Sequence, residues 1–245
     1  MNEASYHGNP NLKSLGYQHH FTKDELTEFV KCQDDPIYFI ENYCQIVTLD
    51  RGLQPFVLYE CQKKKVDFIM KGRKTILMEG RQQGKTVTAA ACILHYTIFN
   101  DDKNVAIMAN KTAAAREVLN RYQIMYENLP IWMQQGVKTW NKGDVDLENG
   151  SRVFTSATTA SGIRGKSVNW LYIDEAAIIP NNIADEFFAS VYPTISAGET
   201  TKILLTSTPL GYNHFWKFWN ESEKGANGFE NMFIPYTDIP VRDDA

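Results

Sequence analysis

Little in this chain points to export, to a membrane or to a structural metal. Its 245 residues include only four cysteines, Cys32, Cys44, Cys61 and Cys92, with no Cys-x-x-Cys pair and no histidine pattern beside them. That spacing argues against a disulfide scaffold and against zinc, and suits reduced, partly buried thiols in a cytosolic protein. No apolar run approaches the roughly 18 residues that a membrane helix needs. Met1-Asn2-Glu3-Ala4 has neither the charged start nor the apolar core of a signal peptide. Basic charge is also short: 25 Lys and Arg against 29 Asp and Glu give a net charge of −4. The molecule is therefore not a generally basic nucleic-acid coat, and any DNA contact must come from a local patch or a ring of copies. Repeats and low-complexity tracts are absent. What is there, 43% hydrophobic and 22% charged residues, suits one large globular domain or one and a half.

The most informative stretch is Glu79-Gly80-Arg81-Gln82-Gln83-Gly84-Lys85-Thr86. An apolar run, Thr75-Ile76-Leu77-Met78, leads into it, and a helix-forming stretch, Val87 to Leu94, leads out. Strand, glycine-bearing loop, Gly-Lys-Thr and helix is how a phosphate-binding P-loop is built. Loop N–H groups and a helix N-terminus then face the phosphates with about half a positive charge. Gly80, Arg81, Gln82, Gln83 and Gly84 would form the cradle. Lys85 would reach the β- and γ-phosphates, and the Thr86 hydroxyl would ligate Mg²⁺. Glu79 stands where the usual pattern has its first glycine. A Gly-Lys-Thr turn that merely starts a helix would look the same in isolation.

Further along, Leu171-Tyr172-Ile173-Asp174-Glu175 is an apolar run ending in two carboxylates. A buried parallel strand reads this way, with its charge at the carboxyl end where α/β sheets place ligands. Asp174 suits the Mg²⁺ shell, and Glu175 suits orienting and deprotonating a water for attack on a γ-phosphate. A strand ending in Asp-Glu is usually just solvated. Its pairing with a P-loop 89 residues upstream predicts an ATP hydrolase.

In chain order, residues 1–20 read as a loose polar leader, and His19-His20 as incidental. Thr22-Lys23-Asp24-Glu25 has the form of a capping box opening a helix, and Asp35-Pro36 starts another. Leu53-Gln54-Pro55-Phe56 reads as a turn. A helix beginning near Leu58 carries Gln62, which reads either as a surface glutamine or as an amide that both donates to and accepts from an adenine edge. Lys63-Lys64-Lys65 reads as a solvated helix face, with DNA contact as the alternative. Asn104 to Ala109 predicts a second buried strand, and Lys111-Thr112 starts a helix to about Tyr126. Glu148-Asn149-Gly150-Ser151 marks a hairpin. Arg164, on a small-residue loop eleven residues before Glu175, is either a surface residue or a finger onto a γ-phosphate. Lys202 to Pro209 predicts a strand ending in Thr206, Ser207 and Thr208, hydroxyls that either sense the phosphate or cap the next segment. Phe215, Trp216, Phe218 and Trp219 read as packing on a helix, with base stacking as the alternative, and residues 224–245 as loops.

Together these residues resemble the ATPase domain of the large terminase subunit of tailed bacteriophages, T-even-like branch. The resemblance rests on Arg81-Gln82-Gln83-Gly84-Lys85-Thr86, Leu171 to Glu175, Thr206-Ser207-Thr208, residues 36–43, Trp140-Asn141-Lys142-Gly143, Ile163-Arg164-Gly165 and Gly211 to Phe215. It covers about residues 35–220, and a P-loop with the arginine but without the first glycine is itself a family trait. The resemblance implies an α/β fold: a RecA-like P-loop NTPase of the additional-strand, catalytic-glutamate class. A mostly parallel sheet would be flanked by helices, with a small helical subdomain. Residues 1–55 and 211–245 would contribute to that subdomain around a core at 56–210. It implies Mg²⁺-dependent ATP hydrolysis that drives double-stranded DNA into a capsid in the host cytoplasm, at the procapsid portal. The implied partners are the portal protein, the small terminase subunit and a pentameric ring of copies. Residue by residue, Lys85 and Thr86 match the phosphate and metal ligands, Asp174 the Walker B acid and Glu175 the water-activating residue. Arg81 matches a P-loop arginine, Arg164 an arginine acting on a neighbour's ATP, Gln62 the adenine-reading glutamine and Thr206-Ser207-Thr208 the coupling motif.

The chain departs from the family in two places. Cys61 stands where an aromatic residue often precedes the glutamine, which would leave base stacking to Tyr59 or Phe56. Family members also continue into a two-metal nuclease domain, so the expectation is an ATPase-domain fragment or a separately encoded ATPase. A helicase-like or recombination ATPase is the nearest rival. A docking module that binds ATP with negligible turnover is the rival from outside enzymology.

Overall fold

Each apolar run of the sequence finds a neighbour to pair with. A computed structural model of the chain describes residues 5–48, 50–159, 163, 165–196 and 198–240, without the side chains of 190–196. In order the elements are β1 (Ser5–Tyr6), β2 (Asn9–Lys13), α1 (Lys23–Asp34), α2 (Pro36–Tyr43), β3 (Gln45–Thr48), β4 (Gly52–Pro55), α3 (Glu60–Lys71), β5 (Lys74–Glu79) and α4 (Lys85–Ile98). There follow β6 (Asn104–Ala109), α5 (Thr112–Glu127), β7 (Val137–Trp140), β8 (Asp144–Leu147), β9 (Arg152–Ala157), β10 (Trp170–Ile173), α6 (Asn181–Ser196), β11 (Lys202–Ser207), α7 (His214–Glu223) and β12 (Glu230–Ile234). Short 3₁₀ turns occupy Ala176–Ile178 and Tyr236–Asp238.

The main sheet runs β12-β5-β11-β10-β6-β9-β8-β7. The first six strands are mutually parallel; β8 runs antiparallel to β9, and β7 turns back antiparallel to β8. Strand alternation sends successive side chains to opposite faces. Leu77, Ile107, Tyr172 and Leu204 bury into a core shared with α1 to α5. Their neighbours Ile76, Met108, Ile173 and Leu205 bury into a second core with Ala184 and Phe187 of α6 and Phe215 and Trp219 of α7. Helices thus cover both faces, as near-continuous apolar strands require. The order also places β11 between β5 and β10, so the P-loop strand and the Asp-Glu strand flank the hydroxyl-tipped one.

The capping box is present: Thr22 Oγ1 accepts from Glu25 N–H, and the Glu25 carboxylate accepts from Thr22 N–H. Asp35 caps α2 through Tyr38 N–H, with Pro36 in the first turn. Three local expectations need correction. The polar leader forms the β1–β2 hairpin, anchored by Leu12 at 1% exposure and by Gln134, whose amide bonds Lys13 N–H and Asn11 carbonyl. Of the turn expected at Leu53 to Phe56, residues 53–55 instead pair with Gly52 as β4 against β3, with Pro55 at the end of a two-stranded edge where proline is tolerated. Residues 224–240 are not simply loops, because β12 extends the sheet beside β5. Among the described residues, no helix is long and apolar enough to cross a membrane.

Candidate functional site

The loop between β5 and α4 is bent by positive φ at Gln82 (61°) and Gly84 (79°). No side chain caps α4, which leaves its first N–H groups without a side-chain acceptor, as an anion site requires. Gln83 cinches the loop: its Oε1 accepts from Gly80 N–H, and its Nε2 donates to the Pro235 carbonyl at 3.0 Å. Gln62, buried in the first turn of α3, accepts from Tyr59 N–H at 3.0 Å and donates to the Gln83 carbonyl at 3.3 Å.

At the carboxyl ends of the neighbouring strands, two contacts close the site. Lys85 Nζ lies 2.7 Å from Glu175 Oε1, and Thr86 Oγ1 donates to Asp174 Oδ2 at 3.0 Å. Asp174 is 7% exposed, and its Oδ1 accepts from Thr206 Oγ1 and from Glu175 N–H, both at 3.0 Å. Tyr172 Oη sits 3.2 Å from that same Thr206 hydroxyl, and burial raises its phenol well above the usual range. Glu175 adopts the left-handed conformation (φ 51°, ψ 45°), a strain of about 1–3 kcal/mol for a residue with a side chain. Its second oxygen faces Thr208 Oγ1 at 3.4 Å and Ser207 Oγ at 3.5 Å. The turn behind it is held from the far side. Ser207 Oγ accepts from Ala177 N–H, Asn213 Nδ2 donates to Ala177 carbonyl, and His214 Nε2 lies 2.8 Å from Ala176 carbonyl.

The structure therefore gathers Gln62, Gly80, Gln83, Gly84, Lys85, Thr86, Asp174, Glu175, Thr206, Ser207 and Thr208 around one strand-end cleft. Arg81 and Gln82 are exposed on the loop, and Arg81 has no ion pair among the described residues. Arg164 lies outside the described residues. Phe56 is closed to a ligand at 2% exposure, whereas Tyr59 is open at 36%. Lys65 corrects an expectation: it is not on a solvated face but wholly buried against Glu79. The signal was present, since Cys61, Lys65, Val66 and Ile69 follow helical spacing on the buried side of α3. The sequence marked Tyr172, Asn213 and His214 only as parts of shared motifs and assigned them no role, because their partners are backbone atoms or side chains remote in sequence.

Thr86 and Asp174 suit a magnesium ion: their oxygens lie 3.0 Å apart, close to the roughly 2.9 Å between adjacent vertices of an octahedron with 2.0–2.1 Å bonds. No cluster of three or more His, Cys, Asp or Glu side chains suited to a metal ion exists among the described residues. A site of this kind therefore has to complete the shell with phosphate and water.

Residues 76–240 match the family described as "Terminase large subunit, T4likevirus-type, N-terminal". Among solved structures, the fold is similar to the HK97 bacteriophage large terminase, at 19% identity, 87% of this chain, 45% of that one and a TM-score of 0.67. It is similar to the ATPase domain of the Thermus phage P74-26 large terminase, at 18% identity, 66% of this chain, 76% of that one and a TM-score of 0.52. It also resembles the large terminase of another thermophilic bacteriophage, solved in complex with ATP-gamma-S, at 14% identity, 74% of this chain, 46% of that one and a TM-score of 0.55. This chain spans less than half the length of the HK97 protein and of the ATP-gamma-S-bound one. The sheet with helices on both faces is the RecA-like arrangement of these ATPase domains.

Proposed function

Because this chain belongs to the T4-like type of the terminase large-subunit family, in its N-terminal part, we propose that it hydrolyses ATP to drive double-stranded DNA into a capsid. One observation carries the reading. Lys85 and Thr86 from the P-loop meet Glu175 and Asp174 from the end of β10, at 2.7 and 3.0 Å. An ammonium, a hydroxyl, a carboxylate for a metal and a second carboxylate for water are what γ-phosphate hydrolysis needs in one place.

In this reading the incoming triphosphate takes Lys85 from Glu175 and freezes the ammonium on the phosphates. Glu175, released, accepts a proton from the attacking water. Thr86 and Asp174 would hold the Mg²⁺, which neutralises charge on the phosphate oxygens when bound. Thr206 keeps Asp174 oriented, while Ser207 and Thr208 feel the release of Glu175 from Lys85 and pass it to the turn clamped by Asn213 and His214. Gln62 couples the P-loop to the base end of the nucleotide. Arg81 and Arg164 supply positive charge to the phosphates, Arg164 from a neighbouring copy in a pentameric ring. The ring would work on the portal of the procapsid in the host cytoplasm, with the small terminase subunit delivering DNA. One solved relative carries ATP-gamma-S, which supports a nucleotide as the ligand.

Steady-state phosphate release is the test. Lys85→Ala and Glu175→Ala should each reduce turnover at least about 100-fold, the size of a lost general base or phosphate contact. Near-normal turnover in either variant would end this reading.

A further inference from the structure

Behind the phosphate loop lies a charged pair that the chemistry above does not use. Lys65 of α3 and Glu79 at the end of β5 are both 0% exposed. Lys65 Nζ donates to both Glu79 oxygens, at 2.8 and 3.1 Å, and to the Gln83 carbonyl at 3.3 Å. Three acceptors meet three ammonium protons, so the cation is fully satisfied. Burial pushes Lys65 down and Glu79 up, and each charge opposes the shift of the other.

Stability alone does not explain such a pair, because apolar residues of similar size usually serve a buried position as well or better. Apolar residues could not make the third bond. Both Lys65 and Gln62 hold the Gln83 carbonyl from the α3 side, each at 3.3 Å. No peptide of the described residues is cis, and across a trans peptide the following N–H points opposite to the carbonyl. Holding that carbonyl back therefore turns the Gly84 N–H away from α3, toward the open side of the loop.

We infer that Lys65 is a positioning residue of the phosphate loop, with Glu79 as its counter-charge: it clamps the Gln83 carbonyl so that the Gly84 N–H faces the phosphates. The carboxylate at the first-glycine position is there to keep this ammonium buried and charged. The inference rests on the nucleotide reading for its ligand, a nucleoside triphosphate, but not for its effect on the loop.

The test is the double variant Lys65→Met/Glu79→Leu, which removes both charges at similar volume. Three readings are taken: the urea unfolding midpoint, amide exchange across residues 80–86 without nucleotide, and KM and kcat for Mg-ATP. The expected result is a midpoint near that of the parent, loop exchange at least about tenfold faster, KM raised about tenfold (about 1.4 kcal/mol) and kcat within about threefold. A pair that serves stability alone predicts parental loop exchange and parental KM in the folded variant, and that result would overturn the inference. If this variant does not fold, Lys65→Met/Glu79→Gln, which keeps the shape of Glu79, is judged by the same readings. Should the parent show no ATP turnover at all, the functional reading falls, while loop exchange still decides the role of the pair.

Discussion

The Thr206 hydroxyl sits against the Asp174 carboxylate, donating to Asp174 Oδ1 and lying beside Tyr172 Oη. Replacing it by valine keeps the shape and removes both contacts. The buried carboxylate then loses one of its donors and the phenol loses its hydroxyl neighbour, at about 1–3 kcal/mol for a polar contact left unmade. Thr206→Val should therefore lower the stability read from urea unfolding by that amount and reduce kcat more than it changes KM. Parental stability would show that the hydroxyl does not hold Asp174. Gly84 is the other residue with no tolerance. Its φ of +79° suits glycine, and a Cβ there would stand 2.5 Å from Gln62 Nε2. Gly84→Ala should cost about 1–2 kcal/mol from the left-handed backbone alone. It should also weaken ATP binding, measurable by calorimetry, because Gln62 must move off the Gln83 carbonyl.

Among the elements, α4 carries more than the P-loop threonine. His95 in its last turn is 4% exposed, with Nε2 2.9 Å from the Cys32 carbonyl and no partner for Nδ1 among the described residues. Burial lowers its pKa below the ordinary histidine value of about 6.5, and burial does the same to His214 of α7. The folded state holds these rings neutral, so below about pH 6.5 the unfolded chain binds more protons. Stability is full above that pH and is lost as pH falls toward 5, by at most about 1.4 kcal/mol per pH unit for each ring. His95→Gln should flatten the pH dependence of the unfolding midpoint between about pH 7 and 5. An unchanged slope would remove His95 from the account.

The same elements mark what the sequence could tell. Thr75 to Met78, Leu171 to Ile173 and Ile203 to Leu205 announced themselves as buried strands, because each is apolar on both faces. The capping box and the Asp35-Pro36 start were equally local and equally legible. The order of strands was not, since placing β11 between β5 and β10 depends on pairings between residues far apart in sequence. Lys65 was hidden for the same reason: its partner Glu79 is a neighbour only after folding. The two small hairpins were masked by polar and proline-bearing strands; the first of them draws its support from Gln134 and Leu12 rather than from its overall composition.

At the scale of the whole molecule, the account requires one cleft served by one chain and completed by a second. Arg164 is the residue assigned to the second role, and its removal should leave turnover of the isolated chain within about twofold. In an assembled motor the same change should cost about 10³-fold or more, as measured arginine fingers do. Equal activity of parent and Arg164→Ala after assembly would remove the trans role and leave the single-chain chemistry standing.

That single-chain chemistry is tested most directly by a crystal structure with Mg²⁺ and a non-hydrolysable ATP analogue. The account predicts that Lys85 leaves Glu175 for the phosphates, that the ion sits with Thr86 and Asp174, and that a water lies against Glu175. A triphosphate bound elsewhere, with the 2.7 Å contact between Lys85 and Glu175 intact, would contradict it.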